Sequence, residues 1–300
     1  MLFFTIGMDF FKNNWKNFLI GFFVLSNLIV WGWYFSLLPN KVLKVVFLNV
    51  GQGDSIYIRA PSGNDLLVDS GPRDRAVLRE LGAVMPWNDN DLDVILETHA
   101  DADHIGGFPD ILKRFNVGAI VETGNHSKTN QIDGAIEELV KLQKIPEIIA
   151  HRGTVIDLGD GVKFTILFPD KDVVGWETNM SSIVGILSYG SRKFLLTGDS
   201  PTQIENYLVA QGNDLKVDVL KPGHHGSRTS TGQAYVSATK PAYAVISAGL
   251  HNRYGHPTKE VMNRLASAGV KIFQTAINGP IEFDTNGSDL IPIVQFKNSL

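Results

Sequence analysis

The sequence predicts an α/β domain of alternating strands and helices, preceded by one membrane-spanning helix. Three observations predict it. Residues 18–38 form an uncharged apolar run, the remainder alternates short Val/Ile/Leu-rich runs with amphipathic stretches, and a dense His/Asp cluster follows one of those runs. The 300 residues are 44% hydrophobic and 19% charged, which excludes disorder, a fibrous repeat and a multi-pass transporter. No cysteine is present, so disulfides, thiolate metal sites and cysteine nucleophiles are excluded. A net charge of −4 gives no global basic field for nucleic acid, so anion binding requires a local patch.

Taking the elements in order, residues 18–38 at about 1.5 Å per residue span a hydrocarbon core of about 30 Å. Trp31, Trp33 and Tyr34 crowd one end as interfacial aromatics do, and Pro39-Asn40 stops the helix. The run exceeds a signal-peptide core and no small-x-small cleavage site follows it. Lys12 and Lys16 precede it while Lys41 and Lys44 follow, so the basic flanks do not orient it. The expected division is a tail and anchor over 1–40 and one globular domain over 41–300. Strands are predicted over 42–50, 55–60, 66–69, 94–98, 119–122, 163–168, 183–187, 193–197, 217–220 and 243–247, each bounded by Gly, Pro, Asn or Asp. Helices are predicted over 73–84, 109–115, 132–142, 201–209, 232–239 and 257–268, with Pro201 and Pro257 in first turns and Gly269 closing the last. Residues 287–300 carry no motif and read as a final strand or a tail. Two hairpins, 55–71 and 182–199, echo one another, each ending in an acid beside a glycine (Asp69, Asp199). They read as two similar sheets placing acids on a shared edge.

The strand ending at Thr98 empties into His99-Ala-Asp101-Ala-Asp103-His104-Ile-Gly106-Gly107. Four candidate ligands within six residues, spaced two apart while the chain is extended, point together, and His104 joins them from the start of a helix. A solvated loop with Asp103 as a cap explains the acids but not the two imidazoles.

This His99-x-Asp101-x-Asp103-His104 motif resembles the metal signature of the metallo-β-lactamase superfamily. With Asp in the second position and Gly-Gly following, it is similar to that of the C-terminal hydrolase domain of ComEC-type competence proteins. Further matches in family order are Asn49-Val-Gly-Gln-Gly-Asp54-Ser55, Leu67-Val-Asp69-Ser-Gly71, Leu196-Thr-Gly-Asp199, Lys221-Pro-Gly-His224-His225-Gly226-Ser227 and Asn252-Arg-Tyr-Gly-His256-Pro257. The resemblance implies an αββα sandwich and a metal-dependent hydrolase with two divalent ions, Zn²⁺ or Mn²⁺, on one edge. His99, Asp101 and Asp199 would hold one ion, and Asp103, His104, Asp199 and His225 the second. Asn179 stands where the superfamily commonly has His, which makes the first site oxygen-rich and Mn²⁺ a rival to Zn²⁺. ComEC-like context implies competence, DNA uptake and a catalytic domain on the outer face of the membrane.

Neighbouring residues supply the remaining expectations. Adjacent His224 and His225 face opposite ways on an extended chain, so His225 is expected at the metal and His224 packed behind it. Asp69 orients a ligand imidazole or is a turn acid. Residues 86–104 carry six acids and no base, whereas 216–264 carry seven bases against two acids, which suggests metals beside a basic rim. Lys221, Ser227, Arg228 and Arg253 are the expected substrate contacts. Asp103 is expected to orient a water and take its proton, and His256 to serve as general acid to the leaving oxygen or as a phosphate contact. A phosphodiesterase or nuclease acting on nucleic acid or a related phosphate ester fits best. Hydrolysis of a small ester, lactone or choline-phosphate group, and a non-catalytic metal-binding module, are the alternatives. His126 and His151 lie outside every motif and read as surface histidines.

Overall fold

The computed structural model describes residues 2–37, 41–126 and 130–294. They fall into two compact units with the boundary between Lys41 and Val42. The first is one helix, α1 (Leu2–Leu37), so the polar residues 12–17 continue the helix ahead of the apolar run. Within it, Trp15–Trp33 is long and apolar enough to cross a membrane, and its large side chains, Trp31 and Trp33 among them, are exposed. Leu38 and the expected stop at Pro39-Asn40 lie outside the described residues.

The second unit is built on two sheets. One runs β15 (Leu290–Val294), β14 (Ile281–Thr285), β1 (Leu43–Phe47), β2 (Ile56–Arg59), β3 (Asp65–Val68), β4 (Asp91–Leu96), β5 (Asn116–Glu122) and β6 (Glu147–Ile149); the other runs β13 (Lys271–Gln274), β12 (Tyr243–Ile246), β11 (Val219–Leu220), β10 (Arg192–Leu196), β9 (Val184–Tyr189), β8 (Val162–Phe168) and β7 (Val155–Gly159). The elements that reach the site are the β2–β3 hairpin (Ile56–Arg59, Asp65–Val68), β4 (Asp91–Leu96), the β9–β10 hairpin (Val184–Tyr189, Arg192–Leu196), β11 (Val219–Leu220) and β12 (Tyr243–Ile246). β3 shows how alternation creates the layers. Leu66 and Val68 join a core with Phe164, Leu187 and Phe194 of the opposite sheet. Leu67, between them, joins Val77 and Leu81 of α2 (Ala76–Val84), Ile111 of α4 (Phe108–Arg114) and Ile136 of α5 (Gln131–Gln143). On the second sheet Leu195, Leu220 and Ile246 face α6 (Thr202–Ala210), α7 (Gln233–Thr239) and α8 (Lys259–Ser267) in the same way. Helices therefore cover both outer faces of two packed sheets, the αββα sandwich the motifs implied.

β3 and β4 run parallel, as do β10, β11 and β12. Their carboxyl ends therefore open on common edges, where ligands of α/β sheets are held. Close backbone contact locks that edge. Gly53 has φ +135°, and a Cβ there would lie 2.1 Å from the Asp103 carbonyl oxygen. Gly53→Ala is accordingly expected to cost about 3 kcal/mol from strain and overlap, a fall in Tm of about 6–12 °C for a domain of this size. An unchanged melting curve would contradict that packing.

Candidate metal centre

The cluster assembles from strand ends. Asp69 follows β3, His99 to His104 follow β4, Asp199 follows β10, Lys221 to His225 follow β11, and Asp54 precedes β2. Thr98 to Ala100 form a bend, closed by Asp101 N donating to the His99 carbonyl at 3.0 Å, so the ligands do not line an extended chain. The chain then turns into α3 (Ala102–Ile105), whose single turn carries Asp103 and His104. The two echoing acids meet at one ring: Asp69 Oδ2 lies 2.8 Å from His104 Nδ1, and Asp199 Oδ1 lies 3.4 Å from His104 Nε2. Asp69 also accepts Thr98 N and Thr98 Oγ1, each at 2.8 Å, and Thr98 Oγ1 sits 3.0 Å from His99 Nδ1. Asp69 thus touches the His104 ring directly and reaches His99 through Thr98, an arrangement suited to orienting both imidazoles.

His225 is the second hub. Its Nδ1 donates to the Ser247 carbonyl at 2.8 Å, directing Nε2 to Asp103 Oδ2 at 3.2 Å and Asp199 Oδ2 at 3.4 Å. The segment Gly223–Gly226 is a 3-10 turn in which His224 (φ 48°) and His225 (φ 54°) are both left-handed, a conformation costing about 1–3 kcal/mol per residue. A turn, rather than an extended chain, therefore separates the two rings. His225 is buried, and the half-buried His224 holds its Nε2 3.9 Å from Asp199 Oδ2.

The donor set suits divalent cations. Asp54, His104, Asp199 and His225 each offer a ligand atom within 4.8 Å of the others. Nε2 of both His99 and His104 is buried without a hydrogen-bond partner, and such a lone pair needs an acceptor-free occupant. Burial, reinforced by His104, pushes the His99 imidazole down to about 3, so its lone pair is available at neutral pH. The cluster holds five carboxylates (Asp54, Asp69, Asp101, Asp103, Asp199) and the ammonium of Lys221, which contacts Asp54 and Asp199. With neutral imidazoles the surplus is four negative charges, which two divalent cations match. Burial alone would lower the His104 and His225 rings, but the carboxylates around them together outweigh it, Asp199 with Asp69 at His104 and Asp199 with Asp54 and Asp103 at His225; His104 is held well above its ordinary value and His225 is pushed up to about 9. Protons hold those positions whenever cations do not.

The profile of the metallo-β-lactamase superfamily matches residues 48–250. The chain belongs to this superfamily. It is 32% identical over 260 residues to ComE operon protein 3 of Bacillus subtilis, covering 80% of this chain and 33% of that protein. It is 30% identical over 247 residues to competence protein ComA of Neisseria gonorrhoeae, covering 82% and 33% respectively. These relatives are ComEC-type competence proteins, and the chain spans about a third of their length. Among solved structures, Tm1679, a metal-dependent hydrolase of the β-lactamase superfamily, aligns with a TM-score of 0.50 at 12% identity over 84% of this chain and 99% of that one. At that identity the likeness is one of fold.

The expected residues are distributed unevenly within this superfamily edge. His99, Asp103, His104, Asp199 and His225 converge. Asp101, more exposed, has Oδ2 3.7 Å from His99 Nε2; Asn179 has its Oδ1 buried without a partner. Lys221 is not a rim residue. It is 1% exposed and bound to Asp54, to Gly198 O at 2.7 Å and to Asp199 at 3.4 Å, because a short strand carries it inward under the acids. Ser227 is buried against the Thr229 hydroxyl at 2.9 Å, and Arg228 is exposed. Arg253 stacks over Tyr254, 4.9 Å from the ring centroid. The His256 ring lies 5.8 Å from that of Tyr254 and 5.4 Å from that of His224.

The charge map also narrows. Asp89 pairs with Arg59 and Asp91 with Asn116 before or at the start of β4, away from its carboxyl end, and Arg264 pairs with Glu260. Arg228 and Arg253 remain on the basic side, joined by Arg73, which sequence reasoning passed over. Asp54 lies within the Asn49–Ser55 motif, but sequence reasoning gave it no role, and nothing there announced its pairing with Lys221.

Glu205 on α6 steadies the loop after His225, accepting Thr231 N at 2.5 Å and Gly232 N at 2.8 Å. Burial pushes its carboxyl from 4.5 up to about 7. The folded state therefore holds a proton the unfolded chain has released, and stability falls as pH rises from about 4.5 to about 7. Glu205→Gln is expected to remove about 3 kcal/mol of that fall. Urea unfolding of both chains across this range checks it, and parallel pH profiles would contradict it.

Proposed function

We propose that the chain is a metal-dependent phosphodiester hydrolase, anchored by α1 with its globular unit on the outer membrane face and acting on single-stranded nucleic acid or a related phosphate ester. The observation that carries this reading is a cavity of about 500 Å³ lined by Asp103, Arg73, Arg253, Tyr254, Gln52 and Asn252, among others. It places two exposed guanidinium groups and an aromatic face against an acid of the metal centre. Such a wall suits a phosphate oxyanion and a stacked base better than a neutral lactam.

His99, Asp101 and Asp199 would hold one cation, and Asp103, His104, Asp199 and His225 the other. When bound, a cation pair supplies Lewis acidity toward a phosphoryl oxygen and lowers the pKa of coordinated water. Although burial opposes it, the His225 hydrogen bond and the His104 charge hold Asp103 well below the usual carboxylate range. Asp103 therefore stays ionised, an acceptor for the water whose proton it is proposed to take. Asp69 and the Ser247 carbonyl keep the imidazoles in place. Burial, with His224 and His225, lowers the His256 pKa. Its ring therefore acts as a neutral hydrogen-bond donor to the phosphate or leaving oxygen. Arg253, Arg73 and Arg228 receive the remaining phosphate charge.

The full chain in detergent micelles, supplied with Mn²⁺ or Zn²⁺, is expected to cleave bis(p-nitrophenyl) phosphate and single-stranded DNA. Arg73→Ala and Arg253→Ala should each raise KM for DNA about 10–100-fold, with kcat little changed. No turnover with either ion in folded protein would overturn the proposal, as would preferential hydrolysis of a lactone unaffected by both substitutions.

A further inference from the structure

We infer that Gln52 and Asn252 are positioning residues, whose side-chain amides clasp residues 249–256 to the metal edge and so set Arg253, Tyr254 and His256 at the cavity. The inference rests on the phosphodiester reading above and names the groups that hold its basic wall in place. Burial does not shape this loop, which joins β12 to α8. Leu250 is 63% exposed and Tyr254 53%, and His251, Arg253 and Gly255 are exposed as well. A loop without a core keeps one shape only through its polar bonds.

Those bonds converge on one side chain. Asn252 Oδ1 accepts Tyr254 N at 3.2 Å and His256 N at 3.0 Å, while Nδ2 donates to Gly249 O at 2.8 Å and to the His256 carbonyl. A primary amide has two donor hydrogens and an oxygen with two lone pairs, so all of its capacity goes to the loop's own backbone. Although Asn252 lines the cavity, nothing of its amide is left over for a substrate. The backbone it closes carries Arg253, whose Nη2 donates to Tyr254 Oη at 2.7 Å, and Tyr254, whose ring lies at 23° to that of His256.

Gln52 fastens this unit to the metal edge. It sits between Gly51 (φ +81°) and Gly53 (φ +135°), on the turn that abuts the Asp103 carbonyl, and Asp54 N donates to that same carbonyl at 3.3 Å. From there Gln52 Oε1 accepts Gly249 N at 3.1 Å. Gly249 packs so closely that a Cβ on it would lie 3.3 Å from Gln52 N. Beyond the loop, Thr258 N and Oγ1 donate to Gly226 O at 3.0 and 3.2 Å, one residue past His225. The segment is thus tied to the Asp103 backbone at its start and to the His225 turn at its end.

The test uses the full chain in detergent micelles with Mn²⁺ and single-stranded DNA. Gln52 and Asn252 are only half-buried, so their variants should fold, which melting curves check. Gln52→Met leaves Gly249 N unpaired and is expected to raise KM about 10-fold. Combined with Arg253→Ala, it should raise KM by clearly less than the product of the two separate factors, because it acts through the loop that carries Arg253. Asn252→Ala should speed hydrogen exchange at the Tyr254 and His256 amides about 10-fold or more, read by mass spectrometry without substrate. Separate factors that multiply would make Gln52 an independent substrate contact and overturn the positioning role, as would an unchanged KM in Gln52→Met or unchanged exchange in Asn252→Ala. Faster exchange in Asn252→Ala, with no turnover by any chain, would support the clasp and overturn the phosphodiester reading instead.

Discussion

Replacing Asp199 with alanine is expected to lower phosphodiester turnover by about 10³-fold or more and to strip the metal centre of its cations. No other carboxylate touches so much of the cluster. One oxygen faces His104 Nε2 and Lys221, the other His225 Nε2 and His224. Without it, two imidazoles from different loops lose a shared partner, and the buried Lys221 ammonium retains one carboxylate, Asp54, beside the Gly198 carbonyl. Breaking such a buried network by removing one member costs about 3–5 kcal/mol, so the urea midpoint should fall together with activity. Metal content by mass spectrometry, turnover and unfolding are measured on the same preparation. A variant that keeps two ions per chain and near-wild-type turnover would remove Asp199 from its bridging position.

The second large effect is expected at Lys221. Sequence reasoning places it among the substrate contacts, whereas its ammonium is buried beneath Asp54 and Asp199. Lys221→Met keeps the aliphatic stem but leaves two buried carboxylates without their counter-charge. The expected loss is again about 3–5 kcal/mol, or about 6–20 °C in Tm for a domain of this size, and it requires no substrate to be seen. A rim lysine would behave differently, with an unchanged melting curve and a raised KM. Burial alone would lower the Lys221 pKa, but the carboxylates of Asp54 and Asp199 together hold it above its ordinary value. Alkaline pH up to the ordinary lysine range should therefore not reproduce the substitution.

The central strands were legible because both of their faces are buried and their sequences read as apolar runs. The strands sequence reasoning missed or left open are mostly sheet edges. β6 (Glu147–Ile149), missed, and β15 (Leu290–Val294), read as a final strand or a tail, close one sheet, and the missed β7 (Val155–Gly159) and β13 (Lys271–Gln274) close the other. β6 is exposed at every position, and β15 alternates half-buried and exposed residues with Pro292 at its centre, as edges that resist further pairing tend to do. β14 (Ile281–Thr285) is the interior exception. Glu282 and Asp284 interrupt its apolar pattern, and their pairing with Lys44 on β1 appears only once the sheet forms.

The site divides similarly. The His99–His104 cluster was legible because its ligands are neighbours in sequence, and the hairpin echo already set Asp69 and Asp199 on a shared edge. Lys221 was misplaced because charge alone does not tell a rim base from a buried counter-ion. Arg73 was missed because it lies far in sequence from Arg253, and only folding brings both to one cavity.

Anomalous X-ray diffraction from crystals of the full chain grown with Mn²⁺ tests the central claim most directly. Two peaks a few ångströms apart, bridged by Asp199 and flanked by His99 on one side and His225 on the other, are the expected result. A chain that binds no ion at this edge, or whose His225 turns away from any ion bound there, would contradict a two-cation centre.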